Sequence, residues 1–473
     1  MKVKGFYTSA PSILSVGEEF TLKFKVLTEP HPVGWGCYVK PPTLNGLFNL
    51  SPRGIKYLDN VYDGDIEDVV IEIEGRKIKF SNYSGVFFGD KRRFGRVQGL
   101  RFNEPGIKFI RLIHPETGIE TYSNPIIVEE NPKYRIYWGD LHSQTFFSDG
   151  LRCPEELYTF AKEEAFLDFF SVSDHSEWIT NRQWDYFCSV ANDFNEQGKF
   201  ATLIAEEWTD HKAGHRNIYY PDNTGRILRA GIDNIDTVYS VARKYGALVI
   251  PHHSANKIMG VNWNLSYDPQ VEVLVEIYSV WGSSELGADE GNTRPIKAMG
   301  GEQKGQHVID ALNMGYRFGF VGGGDIHDGR PGDELHNKQE QPDDYKNLYR
   351  QGITAVKVKN IGRKDIFNAL YQRKCYATSN IKPILNFSIN DVESGSILVN
   401  ARKLHFEISG VSEVLFDRIV VMSDGKIYKS FNIKKNQFKI EFEQNYCGEQ
   451  YFYVRVERED GEIAWLSPIF MEV

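Results

Sequence analysis

The chain reads as an α/β protein whose middle is a helix-wrapped parallel barrel or open sheet, with a β-sandwich at each end. Three observations carry this expectation. Six short apolar runs in the middle of the chain stop on histidine, aspartate or glutamate, helical patterns alternate with those runs, and both ends show alternating strands broken by turn residues.

Residues 1–132 form the first unit. Stretches such as Glu19 to Val26 and Val69 to Ile73 alternate with Gly, Pro and Asn-Gly turns, which predicts an antiparallel β-sandwich. The segment Glu129-Glu130-Asn131-Pro132-Lys133 reads as a linker.

Residues 133–381 form the second. The runs are Ile136 to Trp138 before Asp140 and His142, Phe169 to Val172 before Asp174 and His175, and Ala201 to Ala205 before Glu206 and Glu207. Ala247 to Pro251 precedes His252 and His253, Val273 to Val275 precedes Glu276, and Phe318 to Val321 precedes Asp325 and His327. Runs of this length without alternation predict strands buried on both faces. Pro154 opens a helix with Glu155 and Glu156 in its first turn, and Leu157, Phe160, Ala161 and Ala165 share one face. Asn234 caps another, striped by Ile235, Val238, Val241 and Ala242 and ended by Gly246. In an α/β barrel the strand C-termini meet on one rim, where chemistry sits. Nitrogen and oxygen donors repeated there suit a metal cluster.

Residues 382–473 return to alternation, as in Lys403 to Ile408 and Tyr451 to Val456, and predict a second small sandwich. Neither sandwich carries a donor cluster, so both are expected to cap, orient or form a homo-oligomer.

The 473 residues are 41% hydrophobic and 13% aromatic, which excludes general disorder. A formal net charge of −9 and a pI near 5.8 argue against nucleic acid as a partner. No apolar stretch approaches the roughly 18 residues of a membrane span, and Met1 to Gly5 opens no signal peptide. Five cysteines without a CxxC pair suit a reducing compartment, so a soluble, cytoplasmic protein without membrane contact is expected.

Gly139-Asp140-Leu141-His142-Ser143-Gln144-Thr145 with Ser148-Asp149-Gly150 resembles the first motif of the PHP (polymerase and histidinol phosphatase) superfamily. Four further stretches follow in that family's order: Val172-Ser173-Asp174-His175, Ala205-Glu206-Glu207-Trp208-Thr209, Pro251-His252-His253 and Gly324-Asp325-Ile326-His327. Glu207-Trp208-Thr209, Gly214-His215-Arg216-Asn217 and the closing Asp-x-His before Gly329-Arg330-Pro331-Gly332 are most similar to a PHP-like branch labelled domain of unknown function 3604.

The resemblance covers roughly residues 134–380 and implies a distorted (β/α)7 TIM-like barrel holding two or three divalent metals, Zn, Mn or Fe. It implies that His142, Glu207 and Asp325 hold one ion, with Glu207 bridging to a second held by His215 and His252. Asp149, His175 and His327 would hold a third. Gln144 departs from the pattern, standing where a second histidine belongs. An amide is a poorer transition-metal ligand than imidazole, which leaves that position weakened, filled by a harder ion, or empty.

Asp140, Asp174 and His253 are candidates to orient ligands or shuttle protons, and Glu276 is a candidate ligand or substrate-facing group. Arg216, Arg294, Arg330 and Lys257 are candidates to grip an anionic small molecule, with Trp178, Tyr278 and Trp281 as an apolar wall. Glu206 is read as a salt-bridge or solvent partner. His31, His114, His211, His307, His336 and His405 are read as ordinary residues.

The first functional expectation is a metal-dependent phosphoesterase using activated water. Amide or carboxylic-ester hydrolysis by the same chemistry is the second. A catalytically decayed binding or scaffold module is the third.

Overall fold

The computed structural model describes residues 2–38, 53–85, 91–333 and 348–472; within 30–38 and 53–59 it describes the backbone alone. Strands make up 44% and helices 13%, with five α-helices among the described residues. This mostly β architecture overturns the expected distorted (β/α)7 TIM-like barrel, and the strand directions explain why.

Among the described central strands of the 14-stranded sheet, the first three form a parallel series. Arg135–Asp140, Phe169–Val172 and Ala201–Asp210 are parallel neighbours, connected by α1 (Pro154–Glu163) and α2 (Asn181–Asp193). Helix α1 starts on Pro154 with Glu155 and Glu156 against its positive end. Helix α2 is capped by Thr180, whose hydroxyl accepts from Gln183 N.

The series stops at Asp210. Ala201–Asp210 turns directly into the strand Gly214–Tyr220, whereas a parallel neighbour needs a crossover of about a dozen residues or more. The pair is therefore antiparallel, with Glu207 opposite Asn217 and Thr209 opposite His215. The Asp210 carboxylate accepts from Lys212 N at 2.8 Å and Ala213 N at 2.7 Å, and Gly214 supplies a φ of 92°. Leu248–Pro251, after α3 (Ile235–Tyr245), adds a further antiparallel strand. Asn234 caps α3, and Gly246 ends it at φ 65°.

On the other flank Arg135–Asp140 pairs antiparallel with Ile353–Val358, which pairs antiparallel with Cys375–Thr378. Helix α5 (Arg363–Tyr371) joins those two. Cys375–Thr378 then pairs with Ile463–Glu472, so one 14-stranded ladder runs from the centre into the C-terminal strands. Leu274–Ser279 and Gly319–Gly322 pair in parallel in a separate three-stranded sheet, with α4 (Val308–Asn313) between them in sequence. Residues 3–129 contribute sheets of five, four and three strands whose inner faces share one apolar cluster around Phe24, Val26, Ile71, Leu112 and Val128. Among the described residues no helix is long and apolar enough to cross a membrane.

Buried polar contacts fasten both ends to the centre. Trp138 Nε1 donates to Ser12 Oγ at 2.9 Å, and Arg92 pairs with Glu164 at 2.8 Å. On the C-terminal side, Glu285 accepts from Arg455 at 3.1 Å, Tyr453 Oη at 2.7 Å and Trp465 Nε1 at 2.7 Å. Removing one member of a buried ion pair strands its partner, at a cost of about 3–5 kcal/mol. Glu285→Ala is therefore expected to lower unfolding stability by ~3–5 kcal/mol in urea titration, against less than ~1 kcal/mol for Glu443→Ala, whose carboxylate is exposed and 3.9 Å from His405.

Candidate metal centre

The centre is built at the ends of the apolar runs. Three groups of side chains each offer donor atoms lying within 4.8 Å of one another: Glu207, His215, His252 and His253; His142, His252 and Asp325; and Asp149, His175 and His327. The first two groups are buried, and the third is partly open.

Glu207 is the hub. Its carboxylate lies 2.9 Å from His215 Nδ1, 3.2 Å from His252 Nε2, 3.4 Å from His142 Nε2 and 3.4 Å from His175 Nδ1. Burial raises the carboxyl's proton affinity, but the surrounding imidazoles outweigh it and hold Glu207 well below the usual carboxylate range. His142 Nε2 lies 3.5 Å from Asp325 Oδ1, and Asp149 Oδ1 lies 3.3 Å from both His175 Nε2 and His327 Nε2.

These separations suit ligands around shared cations. Bonds of ~2.1 Å in a tetrahedron give ligand-to-ligand edges of roughly 3.4 Å. Gln144 Oε1, His215 Nε2, His252 Nδ1 and Asp325 Oδ2 are also buried without a hydrogen-bond partner. Buried polar atoms left unpaired are rare and need an explanation such as an ion. The donors present therefore fit divalent metals.

The remaining side chains hold these donors in place. Glu276 accepts from His142 Nδ1 at 3.1 Å, the ring edge away from Glu207, so it orients a donor and stands outside all three groups. Burial pushes Glu276 up to about 7. Thr209 Oγ1 lies 2.6 Å from His175 Nδ1, and the Asp325 carbonyl lies 3.1 Å from His327 Nδ1. Thr209 was missed in the sequence, although its place in Glu207-Trp208-Thr209, two residues along one strand from Glu207, put it on the same face.

Asp140 and Asp174 shape the loops. Asp140 accepts backbone N–H groups of His142 at 3.0 Å, Gly324 at 2.7 Å and Gly332 at 3.2 Å, which ties the first motif to the last. Asp174 accepts from Thr145 N at 3.0 Å, Thr145 Oγ1 at 2.9 Å and Ser148 Oγ at 2.6 Å. Burial raises each to about 6. A Cβ at Gly323 would collide with the Glu276 carboxylate, and one at Gly324 with that of Asp140. His253 and Asp325 sit at φ 32° and 50°, strained backbone of the kind stored at functional sites.

Several candidates face elsewhere. Arg216 is buried and committed to Glu272 at 2.5 Å and to the carbonyls of Ala213 and Gly214. Arg294 is held by Glu462 and Tyr278 Oη, each at 2.9 Å, and Arg330 pairs with Asp333. None of the three is placed to grip a substrate as expected, because each neutralises a carboxylate: Arg216 and Arg294 one distant in sequence, Arg330 one three residues on. Lys257 is exposed. Tyr278 belongs to the C-terminal contact, stacked 5.2 Å from Trp465, rather than to a wall of the centre. Trp178 and Trp281 do flank it, 5.2 Å from His175 and 6.3 Å from His327. Glu206 is fully buried and accepts from Leu228 N at 2.8 Å and Tyr220 Oη at 3.0 Å, so it meets neither a salt-bridge cation nor solvent. His211, read as ordinary, has its ring 5.7 Å from that of His215, tilted at 50°. His336 and the side chain of His31 lie outside the described residues.

A family described as a protein of unknown function (DUF3604) matches residues 153–231, a stretch that includes Asp174, His175, Glu207 and His215. An uncharacterized protein of Chlamydia trachomatis serovar D is 28% identical over 458 residues, covering 91% of this chain and 72% of the relative. One of Chlamydia muridarum is 26% identical over 456 residues with the same coverage of 91% and 72%. The crystal structure of an S-layer protein aligns over 99% of this chain and 54% of its own length at 8% identity, but a TM-score of 0.12 carries no argument.

The groups differ in proton demand. In the outer one, burial opposes charge on the rings, yet Glu207 and Asp149 raise His175 to about 10, and Asp149 raises His327 to about 9. In the group of Glu207, His215, His252 and His253, burial lowers His252 to about 4, with His142 adding to the effect, and takes His253 well below its ordinary range. An ion at the outer group must displace protons at pH 7, while His252 and His253 are already neutral. Mn2+ affinity at Asp149, His175 and His327 is therefore expected to rise from pH 6 to pH 9 with proton release from both rings, and to keep only the His327 part of that dependence in His175→Ala. Calorimetry in buffers of different ionisation enthalpy measures the released protons.

Proposed function

We propose that this protein is a metal-dependent hydrolase, foremost a phosphoesterase acting on a small anionic molecule, and that its ordered motifs reflect PHP-superfamily membership. One observation carries the reading: among the described residues, a buried cluster of imidazoles and carboxylates opens toward solvent through its outer group. Asp149, His175 and His327 side chains are 15%, 12% and 13% exposed, against 0–4% for His142, Glu207, His252 and Asp325. A substrate would meet that group between Trp178 and Trp281. Divalent ions, when bound, supply a Lewis acid and lower the pKa of water from about 15.7 toward ~7.

The chain's own residues set the conditions for that chemistry. Glu276 and Thr209 fix the ring orientations of His142 and His175. The apolar packing beneath the buried donors excludes bulk water, which strengthens charge interactions in the site. Asp140 and Asp174 hold the donor-bearing loops at fixed separation.

Hydrolysis of an amide or carboxylic ester is the second reading. It is favoured by the commitment of Arg216, Arg294 and Arg330 to ion pairs, since phosphate recognition commonly uses such forks.

The metal-loaded full chain is tested against chromogenic phosphate, sulfate and carboxylic esters with Mn2+, Zn2+ or Fe2+. Phosphoester turnover is expected, with kcat/KM falling at least ~100-fold in His175→Ala and His327→Ala at unchanged circular dichroism. Turnover of carboxylic esters alone favours the second reading, and no turnover of any class by loaded protein refutes the hydrolase.

A further inference from the structure

Four atoms from three segments, Glu207 Oε2 among them, gather around a small space, since His142 and Gln144 share one loop. Gln144 Nε2 lies 3.0 Å from His142 Nε2, 2.8 Å from Glu207 Oε2 and 3.4 Å from Asp325 Oδ1. His142 Nε2 itself lies 3.4 Å from Glu207 Oε2 and 3.5 Å from Asp325 Oδ1. These five separations run from 2.8 to 3.5 Å, the size that separates ligands around one ion, and make the four atoms corners of a shared space.

The fourth corner is the end of a carboxamide. Its two terminal atoms have the same shape, so half a turn exchanges them without moving a neighbour. With nitrogen at that corner the amide donates to Glu207 and Asp325, while Oε1 is buried without a hydrogen-bond partner. With oxygen there, the corner is a metal ligand, and the N–H group takes the unpaired position.

Resting on the metal-centre reading above, we infer that Gln144 coordinates through its carbonyl oxygen and makes this position selective for a harder ion than its neighbour. Its donors are the His142 imidazole and three oxygens, with the His252 ring within reach of this position as well as of its neighbour. The adjoining group offers three imidazoles, from His215, His252 and His253, with the Glu207 carboxylate. Oxygen donors suit Mn2+, and imidazole suits Zn2+. The unpaired N–H left by the turned amide weakens the first position further, so it fills after the second. The centre thus takes a mixed pair of ions, and Gln144 sets which ion goes where.

The experiment strips the full chain with a chelator and reloads it with Mn2+ in large excess over Zn2+. Metal content is measured by mass spectrometry, and each ion is located by anomalous diffraction at both absorption edges. Mn2+ is expected among His142, Gln144 and Asp325, with Zn2+ at His215 and His252. In Gln144→His the Zn2+ to Mn2+ ratio at the first position should rise at least tenfold, with folding checked by circular dichroism. Zn2+ in both positions of the unaltered chain, an empty first position, or an unchanged ratio in the variant overturns the inference. These three outcomes leave the hydrolase reading standing. Correctly placed ions with no turnover of any ester sink the hydrolase and leave the inference intact. A chain that retains no ion at all overturns both.

Discussion

The rest of the structure is arranged around one buried carboxylate. Glu207 lies within 3.4 Å of His142, His175, His215 and His252, four rings contributed by four other segments. Burying an ionised carboxylate costs several kcal/mol unless partners surround it. Meeting that demand fixes where the Arg135–Asp140, Phe169–Val172, Gly214–Tyr220 and Leu248–Pro251 strands must end. Each delivers its histidine within a few residues of a strand end, where the chain can still turn. The antiparallel hairpin serves the same need, since it brings His215 opposite Thr209 and back beside Glu207.

A cluster of this kind also needs walls that do not yield. Asp140 and Asp174 supply them by gathering backbone and hydroxyl donors from loops far apart in the chain. Glycine at 323 and 324 lets the last motif pass against Glu276 and Asp140. The positive φ of His253 and Asp325 is tolerated because this packing over-determines the backbone. The C-terminal strands join the centre through backbone pairing with Cys375–Thr378 and through Glu285, so they form a continuation of its sheet.

Much of the centre was legible in the sequence because its donors interrupt apolar runs. A charged or imidazole residue directly after a buried strand has few reasons to be there other than a partner. That signal pointed to His142, His175, Glu207, His252, Asp325 and His327, which the fold gathers within a few ångströms. It misled for Glu206, whose partners are a backbone N–H and a tyrosine. It also misled for Arg216 and Arg294, because their carboxylates, Glu272 and Glu462, lie 56 and 168 positions further along the chain. Proximity in sequence to a strand end says nothing about which way a long side chain leans.

By itself the sequence determined the donor-tipped apolar runs, the helices opening at Pro154 and capped by Asn234, and which residues carry donor atoms, because periodicity, caps and turn residues are local properties. Only the tertiary structure decided strand direction and sheet continuity. A run buried on both faces has the same apolar composition whether its neighbour is parallel or antiparallel. The choice rests on connection length and on long-range pairing, as at Asp210 to Gly214 and at Tyr376 with Leu466. The division of the donors among three groups, and the side of each ring that faces them, likewise follow from contacts between distant segments.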